Sequence, residues 1–186
     1  SSLEDVVRSI ETLGARLGAA ERGRAIAAEM RATIAEVRSA VVEAVAQGRA
    51  RPRVFVAEWI DPPFVPGHWL PEMIEAAGGE AVLAEHARPS HPTTWSAVAA
   101  AAPEVVVVAP CGFGADEAAR RFGSASIDPA SVLDARARIV VVDGDGYYSR
   151  PGPRLAEGVR QLGHLLHPTV VPDPGLPLIE LSAVRA

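Results

Sequence analysis

Two runs, Val105-Val106-Val107-Val108 and Ile139-Val140-Val141-Val142, are apolar at every position rather than at alternate ones. A strand with one face in water alternates, so unbroken β-branched runs mark strands covered on both faces and predict parallel pairing beneath helices. A similar run, Val54-Phe55-Val56-Ala57, precedes them, and a weaker one lies near Ala81–Leu83. Helical stretches fall between and after these runs, at His68–Ala77, Thr94–Ala101, Ala115–Phe122 and Pro153 to about His167, with a short one near Ala130–Ala135. This order predicts an α/β fold. The tail from Thr169, with Pro172, Pro174, Gly175 and Pro177, is expected to run as an extended arm into a short Leu178-Ile179-Glu180-Leu181 segment.

The first fifty residues have a different period. Ser2 is a good N-cap with Asp5 three positions on, and Leu3, Val6, Val7, Ile10, Leu13 and Leu17 mark one helical face up to Gly18. A longer helix is expected from Ala20 to Gln47, with Ile26, Met30, Ile34, Val37, Val41 and Val45 on one side and Gly48 as its stop. About 28 residues span about 40 Å, more than a small domain needs. Such a helix either covers a core or also serves as a strut to something outside this chain.

With 186 residues the chain fits one domain, or one domain with an appendage. A net charge of -5 gives no reason to expect nucleic acid or an anionic membrane as partner. No apolar run approaches the roughly 18 residues of a membrane span. The single cysteine, Cys111, excludes an intrachain disulfide and a cysteine-built zinc site. No G-x-x-x-x-G-K or G-x-G-x-x-G motif follows any strand, which disfavours nucleotide chemistry.

The segments after the three long strands are unlike ordinary connectors. They read EWIDPPFVPGHW after the first, APCGFG after the second and DGDGYYSRPGP after the third. Parallel strands deliver all three to one sheet edge, where ligands bind in open α/β sheets. Trp59, Phe64, Trp69, Phe113, Tyr147 and Tyr148 would then share a rim, and Trp95 could join them, although only 5% of the chain is aromatic. Trp69 and Trp95, near helix starts, have a second reading as caps on the sheet edge. The expected surface is flat and apolar, with glycines allowing close backbone approach.

Catalytic and metal readings are weaker. Cys111 follows a strand as a nucleophile does, yet Ala109 and Pro110 stand where a nucleophile elbow needs glycine, and no orienting acid pairs with a histidine. Cys111 otherwise reads as a small buried hydrophobe. Asp143-Gly144-Asp145-Gly146 lacks the remaining ligands of a calcium loop. Glu58, Asp61 and His68 fit no ligand register.

The set EWIDPPFVPGHWLPEMIEAAGGE, PEVVVVAPCGFG and VVVDGDGYYSRPGPRL resembles the cobalamin-binding type of class III substrate-binding proteins of ABC importers, whose relatives carry haem and siderophores. The resemblance implies a three-layer, Rossmann-like lobe with a mainly parallel sheet, preceded by a long interlobe-type helix. By it, residues 1–50 hold the linking helix, 51–186 form the C-terminal lobe, and an N-terminal lobe is expected before Ser1. It also implies a binding protein rather than an enzyme, with no covalently bound cofactor, no membrane-spanning part of its own, a corrinoid as ligand and an ABC permease as partner. The location implied is extracytoplasmic, periplasmic or anchored at the cell surface; the opening SSLEDVV carries no signal-peptide pattern. Carried over position by position, Trp59, Asp61, Phe64, Gly67, His68 and Trp69 face the ligand from one loop. Cys111, Gly112 and Phe113 do so from a second, and Tyr147, Tyr148 and Arg150 from a third. Glu80 matches an acidic residue that docks on permease arginines; its other reading is a solvated surface glutamate. Haem or a ferric siderophore, with His68 as a conceivable axial ligand, is the nearest alternative. A small α/β enzyme using Cys111 and a dimerising module built on the long helix are the others.

Overall fold

The chain opens on a helical hairpin whose ends are chemically marked. In the computed structural model, which describes residues 1–125, 133–134 and 136–181, α1 spans Leu3–Arg16. The Ser2 hydroxyl accepts from the Asp5 amide while the Asp5 carboxylate accepts from the Ser2 amide, so two orphan donors are satisfied reciprocally. Gly18, at φ 72°, turns the chain into α2, Ala20–Ala46. The hairpin closes tightly at Gly14 and Gly23: a β-carbon on Gly14 would lie 2.8 Å from the Gly23 Cα.

The α/β portion follows as β1 (Arg53–Ala57), α3 (Leu70–Ala76), β2 (Glu80–Ala81), α4 (Trp95–Ala100), β3 (Val105–Val108), α5 (Ala115–Phe122), β4 (Arg138–Val142), α6 (Gly144–Tyr147), α7 (Leu155–Leu166) and β5 (Leu178–Leu181). The sheet order is β2-β1-β3-β4-β5, parallel throughout except for β5, which runs antiparallel at the edge. The unbroken apolar runs behave as their composition demands. Val54, Val56, Val105, Val107, Val140 and Val142 share one side with α2, α3 and α7, and α1 packs on α2 and α3. Phe55, Val106, Val108, Ile139 and Val141 face α4 and α5 on the other. The result is three layers around a mainly parallel sheet, as the sequence predicts.

Four details differ from the sequence-based expectations. α3 begins at Leu70 rather than His68, because His68 adopts φ 52° and its amide donates to Arg88 O at 2.6 Å instead of entering the helix. The Leu178–Leu181 segment is a paired strand, not a loose end of the arm. The Gly144–Tyr147 turn of helix is new; the Asp143 carboxylate caps it by accepting from the Gly146 amide at 2.7 Å. The expected strand near Ala81–Leu83 is reduced to Glu80–Ala81. The helix expected near Ala130–Ala135 falls mostly outside the described residues. One face of α2 is buried along its length, from Gly23 to Ala44, so the helix covers the core as well as extending about 40 Å.

Candidate functional site

β2 lies on one side of β1 and β3 on the other, so the carboxyl ends of β1 and β3 meet at the point where the winding direction reverses. In open α/β sheets that crevice is the ligand site. The chain after β1 is held open there by an unusual set of cross-links. Ile60 bridges Pro63, Phe64 bridges Pro92, the Val65 amide donates to His91 O at 3.0 Å and the Thr93 amide to Pro63 O at 2.7 Å. Prolines lack the amide that regular pairing needs, so much of this loop's backbone bonding goes to the segment 85–93.

Glu58 anchors this loop from beneath. Its buried carboxylate accepts from the Gly67 amide at 2.7 Å, and the Glu58 carbonyl accepts from the Cys111 amide at 3.1 Å, tying the first loop to the second. Burial pushes the Glu58 carboxyl above the usual carboxylate range, with the bonds from Gly67 and Ser90 pulling the other way. A group raised in the folded state holds its proton longer there than in the unfolded chain. Its contribution to stability is therefore fully present below the ordinary carboxyl pKa of about 4.3 and lost as pH rises through the folded value. Glu58→Gln keeps an acceptor for Gly67 and removes the titration. Thermal unfolding followed from pH 4 upward is expected to show less stability lost on raising pH in the variant than in the parent; equal losses would contradict this placement.

Above that anchor, Trp59 and Phe113 come together from the two loops, with ring centroids 5.6 Å apart and planes tilted by 42°. The Arg121 guanidinium lies 4.1 Å over the Phe113 ring. Trp59, Ile60, Asp61, Pro110, Phe113 and Arg121 border a cavity of about 310 Å³. The third loop joins at its own edge of the rim: the Asp145 amide donates to Phe113 O at 3.2 Å, and the exposed Arg150 pairs with Asp145 at 2.9 Å. Tyr147 packs on the α1–α2 side of the sheet, under Arg154, whereas Phe113 packs on the α4–α5 side.

Several residues expected on the rim lie below it. Trp69 is buried and its indole N–H donates to Tyr148 O at 2.8 Å. Tyr148 is 1% exposed and its hydroxyl donates to Gln161 Oε1 at 2.8 Å. Trp95 is buried with its indole N–H on Ile60 O at 3.0 Å, so it props the loop from behind. Each is satisfied inside the protein, which is the usual fate of a buried Trp or Tyr. Phe64 is half-buried, Gly67 is buried, and Asp61 and Gly112 are exposed.

Cys111 is exposed rather than buried, and among the described residues no histidine hydrogen-bonds to its thiol. His68 is half-buried, with Nδ1 sealed from solvent and without a partner. A metal-bound histidine normally donates its other ring N–H to an acceptor that fixes the ring, and none is present for a ligand bound through Nε2. Among the described residues no three acidic, histidine or cysteine side chains cluster for a metal. Glu80 is exposed at the start of β2, at the opposite end of the strands from the rim, and pairs with Arg53 at 2.9 Å. Arg121 was hidden in the sequence by its i,i+4 pairing with Glu117, which reads as an ordinary solvated helix face.

The profile of the family described as periplasmic binding protein matches residues 1–128. The cobalamin-binding protein of Halobacterium salinarum (strain ATCC 29341 / DSM 671 / R1) is 28% identical over 178 residues, covering 92% of this chain and 46% of that protein. This chain thus spans about half the length of the curated relatives it matches. In structure it resembles a periplasmic heme-binding protein of Pseudomonas aeruginosa, with a TM-score of 0.73 and 22% identity over 96% of this chain and 65% of that one. It also resembles the heme-binding protein RhuT of Roseiflexus sp. RS-1, with a TM-score of 0.64 and 25% identity over 89% of this chain and 62% of that one. On the profile match, the sheet order and the helical hairpin that precedes it, the chain belongs to the periplasmic binding protein family.

Proposed function

We propose that this chain forms one wall of the ligand cleft of an ABC importer's substrate-binding protein, and that the ligand is cobalamin or a related corrinoid. The observation that carries this reading is the Trp59–Phe113 pair at the β1–β3 crevice: an apolar, partly exposed wall suited to a broad ring. The likeness to a cobalamin-binding protein over 92% of the chain supports the choice of ligand. In this reading residues 1–50 carry the linking helix and 51–186 the C-terminal lobe, a second lobe supplies the opposite wall, and the protein works outside the cytoplasm. It delivers its ligand to the permease and performs no chemistry on it. Glu80 is the docking residue. Its exposed pair with Arg53 is worth about 0–1 kcal/mol, so exchange for a permease arginine is cheap.

Haem or a ferric siderophore is the second reading, favoured by the fold shared with heme-binding proteins. The lack of an acceptor for His68 Nδ1 counts against axial ligation by that residue. Titration with cyanocobalamin and with haemin, followed by visible absorption, separates the two. The corrinoid reading expects saturable spectral change and tighter binding with cyanocobalamin; saturation by haemin alone would overturn it.

A further inference from the structure

The cavity beside the Trp59–Phe113 wall is small, and its volume of about 310 Å³ lies at the low end for ligand pockets. It can hold a side arm or one edge of a macrocycle, not the whole ring. Its polar edge is set by two charged groups from different elements. Arg121 comes from α5 and Asp61 from the loop after β1, and both line the cavity. Arg121 is fixed on two sides, since its guanidinium stacks on Phe113 at 4.1 Å and its Nε donates to Glu117 Oε1 at 2.7 Å. The side chain remains 51% exposed, and its hydrogen bond to Glu117 is made by Nε, which leaves NH1 and NH2 uninvolved in that pair. Asp61 has an interaction of its own, yet a carboxylate offers about four lone-pair sites and can accept again.

Resting on the corrinoid reading, we propose that this cavity is a recognition site for a primary carboxamide arm of the ligand, with Arg121 donating to the amide oxygen and Asp61 accepting from the amide NH2. A donor and an acceptor in one pocket complement an amide, which carries both functions. A carboxylate arm is accepted by the arginine and repelled by the aspartate. The pocket therefore discriminates amide-bearing macrocycles from those edged by carboxylates, by the unmatched charge it would leave on the wrong ligand. Glu117 reinforces this by offsetting the Arg121 charge while leaving its remaining donors in place.

The test uses the full-length protein with both lobes, cyanocobalamin, and its separated monocarboxylic acids, in each of which one propionamide arm is hydrolysed. Affinities are measured by calorimetry for the parent, Arg121→Gln and Asp61→Asn. Both substituted residues are solvent-accessible, and unchanged thermal midpoints will verify that the variants fold. Arg121→Gln is expected to weaken cyanocobalamin about tenfold, equivalent to about 1.4 kcal/mol, whereas Asp61→Asn keeps an acceptor oxygen and is expected to weaken it less. One monoacid is expected to bind the parent protein at least tenfold more weakly than cyanocobalamin, and Asp61→Asn is expected to shrink that gap. If the parent binds cyanocobalamin and Arg121→Gln binds it equally well, or if every monoacid binds like cyanocobalamin, the amide assignment is overturned and the corrinoid reading stands. If the parent binds neither cyanocobalamin nor any monoacid, both fall.

Discussion

Replacing Trp59 and Phe113 together by alanine is expected to lower cyanocobalamin affinity by at least about 100-fold. Aromatic side chains bury about 150–250 Å² each when covered, and a truncated hot-spot residue costs about 2 kcal/mol or more, so two give about 3–4 kcal/mol with some sharing between neighbours. At 1.4 kcal/mol per decade that is between 100-fold and 1000-fold. The two rings pack against each other at a tilt, and both remain partly exposed, so little of this loss should appear as instability. Trp69→Phe is the contrasting variant. Its buried indole bond to Tyr148 O belongs to the core, so that change is expected to lower the thermal midpoint and leave affinity nearly unchanged. Calorimetric titration alongside thermal unfolding checks both, and equal affinity of the double variant and the parent would remove the assigned wall.

The largest effect on stability is expected at Gly67→Ala. A β-carbon there would lie 2.4 Å from Ser90 N, 2.7 Å from Arg88 O and 2.9 Å from Pro89 C. All three are backbone atoms, so no flexible side chain can swing aside. Relief requires the 85–93 segment to move away from the loop after β1, breaking bonds such as Val65 N to His91 O and His68 N to Arg88 O. The Gly67 amide would also withdraw from the buried Glu58 carboxylate, leaving that acceptor short of a partner. Overpacking alone costs about 1–3 kcal/mol, and a poorly satisfied buried acceptor adds a further 1–3. A total near 3 kcal/mol corresponds to a fall of roughly 6–12 °C in the unfolding midpoint for a chain of this size. Gly152→Ala, where a β-carbon meets nothing within 4 Å, is the control and should change the midpoint little. A Gly67→Ala protein as stable as the control would contradict the packed crossing of the two loops.

The layers of the fold were legible because their cause is local. An unbroken run such as Val105–Val108 can only be covered on both faces, and the hairpin helices carry their own stop signals at Gly18 and Gly48. The first residues of α3 were not legible. His68 leaves the helix because its backbone bonds to residues about twenty positions away, and no short window contains those partners. The rim was overdrawn for the same reason. Trp59 and Trp69 look alike as loop aromatics, and what separates them is an acceptor, Tyr148 O, about eighty residues on. Arg121 was missed in the opposite sense, since its salt bridge with Glu117 has the spacing of a plain surface pair and its stacking on Phe113 depends on the turn before α5.

The central claim is that the edge formed by the β1 and β3 loops is where this protein meets its ligand. It is tested most directly by adding cyanocobalamin to isotopically labelled protein and following amide and indole N–H resonances. The three tryptophans act as built-in reporters, two with indole groups already bonded inside the protein. The expected result is that the Trp59 indole and the amides of residues 111–114 shift together and saturate, while the Trp69 indole and the amides of α1 and the exposed face of α2 stay in place. Shifts confined to the α1–α2 hairpin, with Trp59 unmoved, would contradict the account.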